Sequence, residues 1–170
     1  ISMSSLVKQY PVEDFFRNPE KSSYQLSPNG TYISYMAPYE NRMNVFVRKF
    51  GSDEEGKRIT DVTDRDIAGF AWANDDRILY LKDEGGDENY ALFAVNLDGS
   101  DFVPLTNFPE VKTQFIDPLE EDDDHVLIAL NKRVSQVFDP YRLNINTGKL
   151  EILAENPGNI SAWMTDHETK

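Results

Sequence analysis

Three glycine-containing turns recur along the chain at a nearly constant interval. They are Phe50-Gly51-Ser52-Asp53, Asp98-Gly99-Ser100-Asp101 and Asn146-Thr147-Gly148-Lys149, and their glycines lie 48 and 49 residues apart. A strand-like apolar run precedes each turn, at 45–47, 92–95 and 141–145. Asp-Gly after such a run is a strong signal for a β-hairpin. A hairpin that returns at a fixed interval predicts a repeated structural unit.

Two further markers keep the same register. The segments that follow the turns end alike, in Arg58-Ile59-Thr60, Pro104-Leu105-Thr106 and Ile152-Leu153-Ala154. Ala71-Trp72 is followed by Asp75, and Ala162-Trp163 by Asp166, at a separation of 91 residues, or about two repeats. Several markers in one register make chance a poor explanation.

A period in the forties with four β-runs per unit is the signature of a β-propeller blade. In the second unit the runs are 67–72, 77–82, 90–97 and 101–106, and the third of them is apolar at both parities. That pattern suits a sheet packed on both faces between neighbouring blades. The predicted fold is all-β, a partial β-propeller of roughly three and a half four-stranded antiparallel blades. The alternative, a β-sandwich, gives no reason for a four-strand unit to repeat.

The predicted boundaries leave the propeller incomplete. Residues 1–23 form a lead-in, and blades follow at about 24–60, 66–106 and 111–154, with the start of a fourth at 158–170. Propellers close with typically four to eight blades. An open face of several hundred Å² forgoes burial of order 10 kcal/mol. We therefore expect a piece of a longer protein, or self-association of two copies that completes the ring.

The composition of the chain excludes several classes of partner and site. The chain has 17 basic and 30 acidic residues and a net charge of −13, which argues against nucleic acid and anionic membrane as partners. No apolar run approaches the roughly 18 residues needed to cross a bilayer. The absence of cysteine excludes disulfides and thiolate sites. Because the chain starts at Ile1, removal of an export signal stays open; the cytoplasm is favoured, with the periplasm as the alternative.

No catalytic, cofactor-binding or metal-binding residue is predicted. The sequence contains no G-x-S-x-G elbow, H-E-x-x-H or phosphate-binding glycine motif. His125 and His167 both stand beside acids and are interpreted as turn or capping residues. The alternative is a Ser-His-Asp arrangement through His167 and Asp166, which the absence of a nucleophile elbow disfavours. The acidic run 120–124 lacks the spacing of a calcium loop and is interpreted as a solvated turn. The loop 83–89 is interpreted as a polar hairpin loop, with partner contact as the alternative.

Several segments resemble the start of the propeller in prolyl oligopeptidase family serine peptidases, in particular the bacterial acylaminoacyl peptidase and dipeptidyl aminopeptidase group. They are Pro11-Val12-Glu13-Asp14-Phe15-Phe16-Arg17-Asn18-Pro19, Leu26 to Tyr35, Trp72 to Tyr80, Gly85-Gly86-Asp87-Glu88-Asn89-Tyr90 and Asn144 to Gly148. The resemblance extends from about Tyr10 to Trp163.

The resemblance implies a propeller that admits short peptides to a C-terminal α/β-hydrolase domain carrying the catalytic Ser, Asp and His. The chain ends inside its fourth unit, so no triad residue is assigned to it and the chain alone is expected to be inactive. The dipeptidyl peptidase branch also holds the substrate's amino group with a glutamate pair. The adjacent glutamates here, Glu54-Glu55 and Glu120-Glu121, lack matching surroundings and are given no such role. The alternative is a non-enzymatic TolB-like or WD-repeat-like propeller that acts as an interaction scaffold.

Overall fold

The structure, a computed structural model, describes residues 24–117, 119 and 122–158. Within these residues the chain forms β-strands joined by turns and loops. The strands are β1 (Gln25–Leu26), β2 (Tyr32–Tyr39), β3 (Arg42–Lys49), β4 (Lys57–Arg58), β5 (Gly69–Asn74), β6 (Arg77–Lys82), β7 (Ala91–Asn96), β8 (Val103–Pro104), β9 (Thr113–Asp117), β10 (His125–Leu130), β11 (Asp139–Asn144) and β12 (Leu150–Ile152).

The strands form three sheets of four, each built from consecutive strands in the order of the chain: β1 to β4, β5 to β8 and β9 to β12. Every pairing is antiparallel. We call these sheets blades one, two and three. Such meanders in succession confirm the prediction of an all-β partial propeller. The fourth strand of each blade is shorter than expected, with two or three paired residues.

The predicted repeat appears in the hydrogen bonds that close each blade. After the fourth strand, Ile59 N donates to Val45 O at 3.0 Å, Leu105 N to Leu92 O at 2.8 Å and Leu153 N to Pro140 O at 2.9 Å. In blades one and two the next residue is a buried threonine whose hydroxyl accepts the N–H of Val45 or Leu92. The similar segment ends in the sequence therefore mark the same backbone position in each blade.

Two apolar clusters lie between neighbouring blades, and blade two contributes to both. Its residues Phe70, Trp72, Ile78, Tyr80 and Phe93 belong to the cluster shared with blade one. Ala71, Leu79, Leu81, Leu92 and Ala94, from alternate positions of the same strands, belong to the cluster shared with blade three. Since successive strand residues point to opposite faces, the predicted burial of blade two on both sides is explained.

Hydrogen bonds join neighbouring blades near their first strands. The indole N–H of Trp72 donates to Ser34 Oγ at 2.8 Å in a buried setting. At the turn, Asn29 N donates to Asp75 Oδ1 and Asn74 Nδ2 donates to Asp123 O, both at 2.8 Å. Trp72 and Asp75 form the first copy of the tryptophan–aspartate pattern that recurs after 91 residues. Both residues thus contact blade one.

The predicted lead-in 1–23, the start of blade four beyond Gly158, and the second copy of the tryptophan–aspartate marker lie outside the described residues. Within the described part of the chain, no helix is long and apolar enough to cross a membrane.

Candidate functional site

The connections of the blades emerge at two opposite ends of the sheets. In an antiparallel meander, the loop between the second and third strands shares an end with the link to the next blade. We call this end the link face. The first and third turns of each blade lie at the other end, which we call the turn face.

A buried carboxylate organises the loop 83–90 on the link face. The side chain of Asp83 is 1% exposed and accepts hydrogen bonds from Arg65 Nε at 3.0 Å and from Glu88 N at 2.9 Å. Burial opposes its ionisation, but these bonds outweigh burial and lower the pKa of Asp83. Gly85 and Gly86 both have positive φ, a conformation that glycine adopts without steric cost. The polar loop singled out in the sequence is therefore anchored to the link from blade one.

Blade three has a comparable anchor. Asp139 is fully buried and accepts two bonds from Arg133, from Nε and Nη2, both at 3.0 Å, and one from Asn156 N at 2.7 Å. Arg133 also donates to Asn156 O at 2.8 Å, and its bond to Asp139 raises the pKa of the guanidinium. Sequence reasoning missed both arginine–aspartate pairs, because nothing in the local pattern marks either partner.

The acidic turn before β10 lies on the turn face. His125 Nδ1 is 3.1 Å from both carboxylate oxygens of Asp122, which also accepts from Asp124 N at 3.0 Å and Arg142 Nη2 at 3.1 Å. The hydrogen bond with His125, followed by those from the backbone and Arg142, lowers the pKa of Asp122 to about 2. His125 therefore contacts a turn carboxylate. No group of metal-ligating residues occurs among those described.

The other sequence candidates do not converge with this turn. Glu54 and Glu55 lie after β3, beside Tyr35 and Phe46 on the outer face of blade one. Glu120, Glu121, Asp166 and His167 fall outside the described residues.

A groove runs along the junction of the first two blades and was not foreseen. One wall is the link 59–64, and the floor is blade two, with Tyr80, Phe93 and Val95. This junction groove has a volume of about 550 Å³, and a hollow of about 400 Å³ adjoins it beyond Lys82 and Phe93, toward Asn107 and Glu110. Lys82 Nζ bonds Asp64 Oδ2 across the groove at 3.0 Å.

Aromatic rings line the floor of the groove. Tyr80 and Phe93, paired across β6 and β7, stack with centroids 5.3 Å apart, and Phe93 stacks on Phe102 at 5.8 Å. Phe102 is 52% exposed, whereas Tyr80 is 3% exposed. Burial is the main cause that raises the pKa of Tyr80, and the nearby carboxylates Asp61 and Asp64 add to it. The floor is thus apolar with an acidic border.

The same ring pair recurs on the opposite side of blade one. Tyr35 and Phe46 are paired across β2 and β3 and stack at 5.6 Å. In blade two the equivalent rings, Tyr80 and Phe93, are buried in the cluster with Ile59 and Val62 of blade one. Tyr35 and Phe46 are only half-buried.

The chain is similar in sequence to part of two proteins named as peptidases. It is 31% identical over 152 residues to dipeptidyl aminopeptidase BIII of Pseudoxanthomonas mexicana, an alignment that covers 89% of this chain and 22% of that protein. It is 30% identical over 155 residues to dipeptidyl peptidase family member 6 of Caenorhabditis elegans, covering 86% and 21%. The chain spans about a fifth of the length of these relatives. No family model matches.

Solved structures show the same fold. An acylaminoacyl peptidase in complex with Z-Gly-Gly-Phe-chloromethyl ketone superposes with a TM-score of 0.56 at 15% identity, over 81% of this chain and 25% of that one. TolB from Acinetobacter baumannii superposes with a TM-score of 0.54 at 15% identity, over 79% and 32%. At these identities the likeness concerns the fold alone.

Proposed function

We propose that the chain is a portion of the propeller of a prolyl oligopeptidase family serine peptidase, and that it acts as part of the gate that restricts substrates of such a peptidase to short peptides. The observation that carries this proposal is the sequence identity of 31% with a dipeptidyl aminopeptidase over 89% of the chain. In this account, the parent protein also supplies a C-terminal α/β-hydrolase domain with the catalytic groups, and the chain itself contributes none.

The open face of blade one supports a larger assembly. Tyr35 and Phe46 occupy the positions that Tyr80 and Phe93 occupy in blade two, where the link from the preceding blade covers them. Fully burying an exposed phenylalanine side chain contributes about 1.5–3 kcal/mol, so covering the remaining exposed part of these two rings is favourable. We propose that another blade of the parent covers them, or a second copy of the chain where the other blades are lacking.

The arginine–aspartate pairs on the link face suit a gate that keeps its shape. Asp83 and Asp139 each fix the loop between the second and third strands of their blade, and their partners Arg65 and Arg133 come from segments outside those strands. Loops held by buried charge-assisted hydrogen bonds resist displacement. A rigid opening is what size selection among peptides requires.

Size selection in the full-length gene product tests the gate. The wild-type enzyme should hydrolyse a dipeptide amide and leave a denatured protein substrate intact. Asp139→Asn, which loosens blade three, should raise the rate on longer peptides relative to the dipeptide amide. The control is Glu155→Gln, because the exposed side chain of Glu155 makes only a weak contact with Arg133, the arginine that also binds Asp139. Rapid hydrolysis of the denatured protein by the wild-type enzyme contradicts the gate.

A non-enzymatic scaffold remains the second candidate, because TolB from Acinetobacter baumannii shares the fold with a TM-score of 0.54. Propellers host many unrelated functions, so a shared fold does not favour it. The two peptidase relatives are 31% and 30% identical to this chain, about twice the 15% identity of TolB. The scaffold therefore fits the observations less well.

A further inference from the structure

The junction groove is lined by a buried tyrosine whose hydroxyl has no hydrogen-bond partner in the described part of the chain. Tyr80 lines the groove and is 3% exposed, and none of the described residues forms a hydrogen bond with its hydroxyl. Leaving a buried hydroxyl unsatisfied is unfavourable. A ligand in the groove can supply the missing bond.

The aromatic stack offers a surface for a cation. Lys82 Nζ already lies 5.8 Å from the centroid of the Phe93 ring, within the range in which aromatic faces attract cations. Phe102 ends the stack and is half-exposed. Its outer face is thus accessible to a second cationic group.

The charges around the groove also favour a positively charged ligand. The groove and the adjoining hollow are lined by five carboxylates and one ammonium group, that of Lys82. The carboxylates are those of Asp61, Asp64, Glu84, Asp87 and Glu110. Lys82 is already paired with Asp64, so the field of the remaining carboxylates is available to an incoming positive charge.

We propose that the junction groove binds an extended segment of another protein that carries arginine or lysine side chains. The basic groups lie against Phe102 and between Asp61 and Glu84, and one of them or a backbone amide donates to Tyr80 Oη. The combined groove and hollow fall in the range of about 300–1,000 Å³ that is usual for ligand sites. This role is independent of the proposed gate, since it uses the outer junction of blades one and two.

The test uses the 170-residue chain and two acetylated, amidated peptides, Gly-Arg-Gly-Arg-Gly and Gly-Glu-Gly-Glu-Gly. Amide chemical shifts followed during titration report both the affinity and the location of binding. The arginine peptide should shift residues of 59–64 and those around Phe93 and Phe102, and the glutamate peptide should not. Added salt should weaken binding, because the contacts are largely electrostatic.

Two variants separate the groove from general attraction by an acidic protein. Tyr80→Phe keeps the ring and should weaken binding about 3- to 10-fold through loss of one hydrogen bond. Phe102→Ala should weaken binding, while Phe50→Ala should not; Phe50 is 55% exposed, against 52% for Phe102, and is its matched control.

Three results overturn the proposal. The first is equal binding of the two peptides. The second is a shift pattern centred on the acidic turn 122–125 rather than on the groove. The third is failure of the full-length gene product to bind the arginine peptide, which shows that the parent protein covers the groove itself.

Discussion

Replacing Asp139 by asparagine tests the anchor of blade three. The carboxylate is fully buried and receives three hydrogen bonds, two from Arg133 and one from Asn156 N. Asparagine replaces one acceptor oxygen by a donor and removes the charge. Losing a buried charge-assisted bond costs about 1.5–3 kcal/mol, and leaving the partner charge unpaired adds to it. Since the Arg133 side chain is 32% exposed, water recovers part of the loss.

The expected loss for Asp139→Asn is about 2–4 kcal/mol in the free energy of unfolding. Glu155→Gln is the matched control, because Glu155 contacts the same arginine at 3.9 Å with its side chain 68% exposed. Such exposed pairs contribute roughly 0–1 kcal/mol, so we expect a change below about 0.5 kcal/mol. Urea unfolding followed by circular dichroism measures both variants. A loss below about 0.5 kcal/mol for Asp139→Asn, or equal losses for the two variants, refutes the reasoning.

Three further predictions concern other contacts. Ser34→Ala leaves the buried indole N–H of Trp72 without its acceptor and should cost about 1–3 kcal/mol in urea unfolding; a loss no larger than that of Ser135→Ala, at an exposed site, contradicts it. The pKa of Asp83 is lowered on folding, so its contribution is present at neutral pH and lost as the pH falls below about 4. Asp83→Asn should therefore reduce the fall in the free energy of unfolding that occurs when the pH is lowered below about 4. An unchanged fall contradicts the stabilising role of the Asp83 carboxylate. Finally, carbon-13 NMR should find Asp122 titrating near pH 2, and His125→Ala should raise that pKa; no rise means that the histidine does not set it.

The fold was predictable because its markers are forced by backbone geometry. Gly51, Gly99 and Gly148 have φ values of 83°, 86° and 81°, a region that other residues enter at a cost. The same turn in each blade therefore calls for glycine at the same place. The segment ends at Thr60 and Thr106 recur because each hydroxyl accepts an N–H from the third strand of its blade. Features that recur from blade to blade leave a periodic trace in the sequence.

The functional features were less predictable because they join residues with no fixed spacing. Arg65 lies 18 residues from Asp83, whereas Arg133 lies 6 residues from Asp139. The junction groove is formed where the link 59–64 packs against Tyr80 and Phe93. Because those two rings follow the same alternation as core residues, the sequence does not distinguish them as part of a groove. The sequence nevertheless singled out the loop 83–89, which is anchored by Asp83 and borders the hollow beside the groove.

The most direct test of the central claim is fluorophosphonate labelling of the full-length gene product, with its intact mass, beside the 170-residue chain. The account predicts a product several times heavier than this chain that is labelled at a single serine outside it, while the chain itself stays unlabelled. A folded full-length product that never labels, or labelling of the chain itself, contradicts the assignment to a serine peptidase propeller.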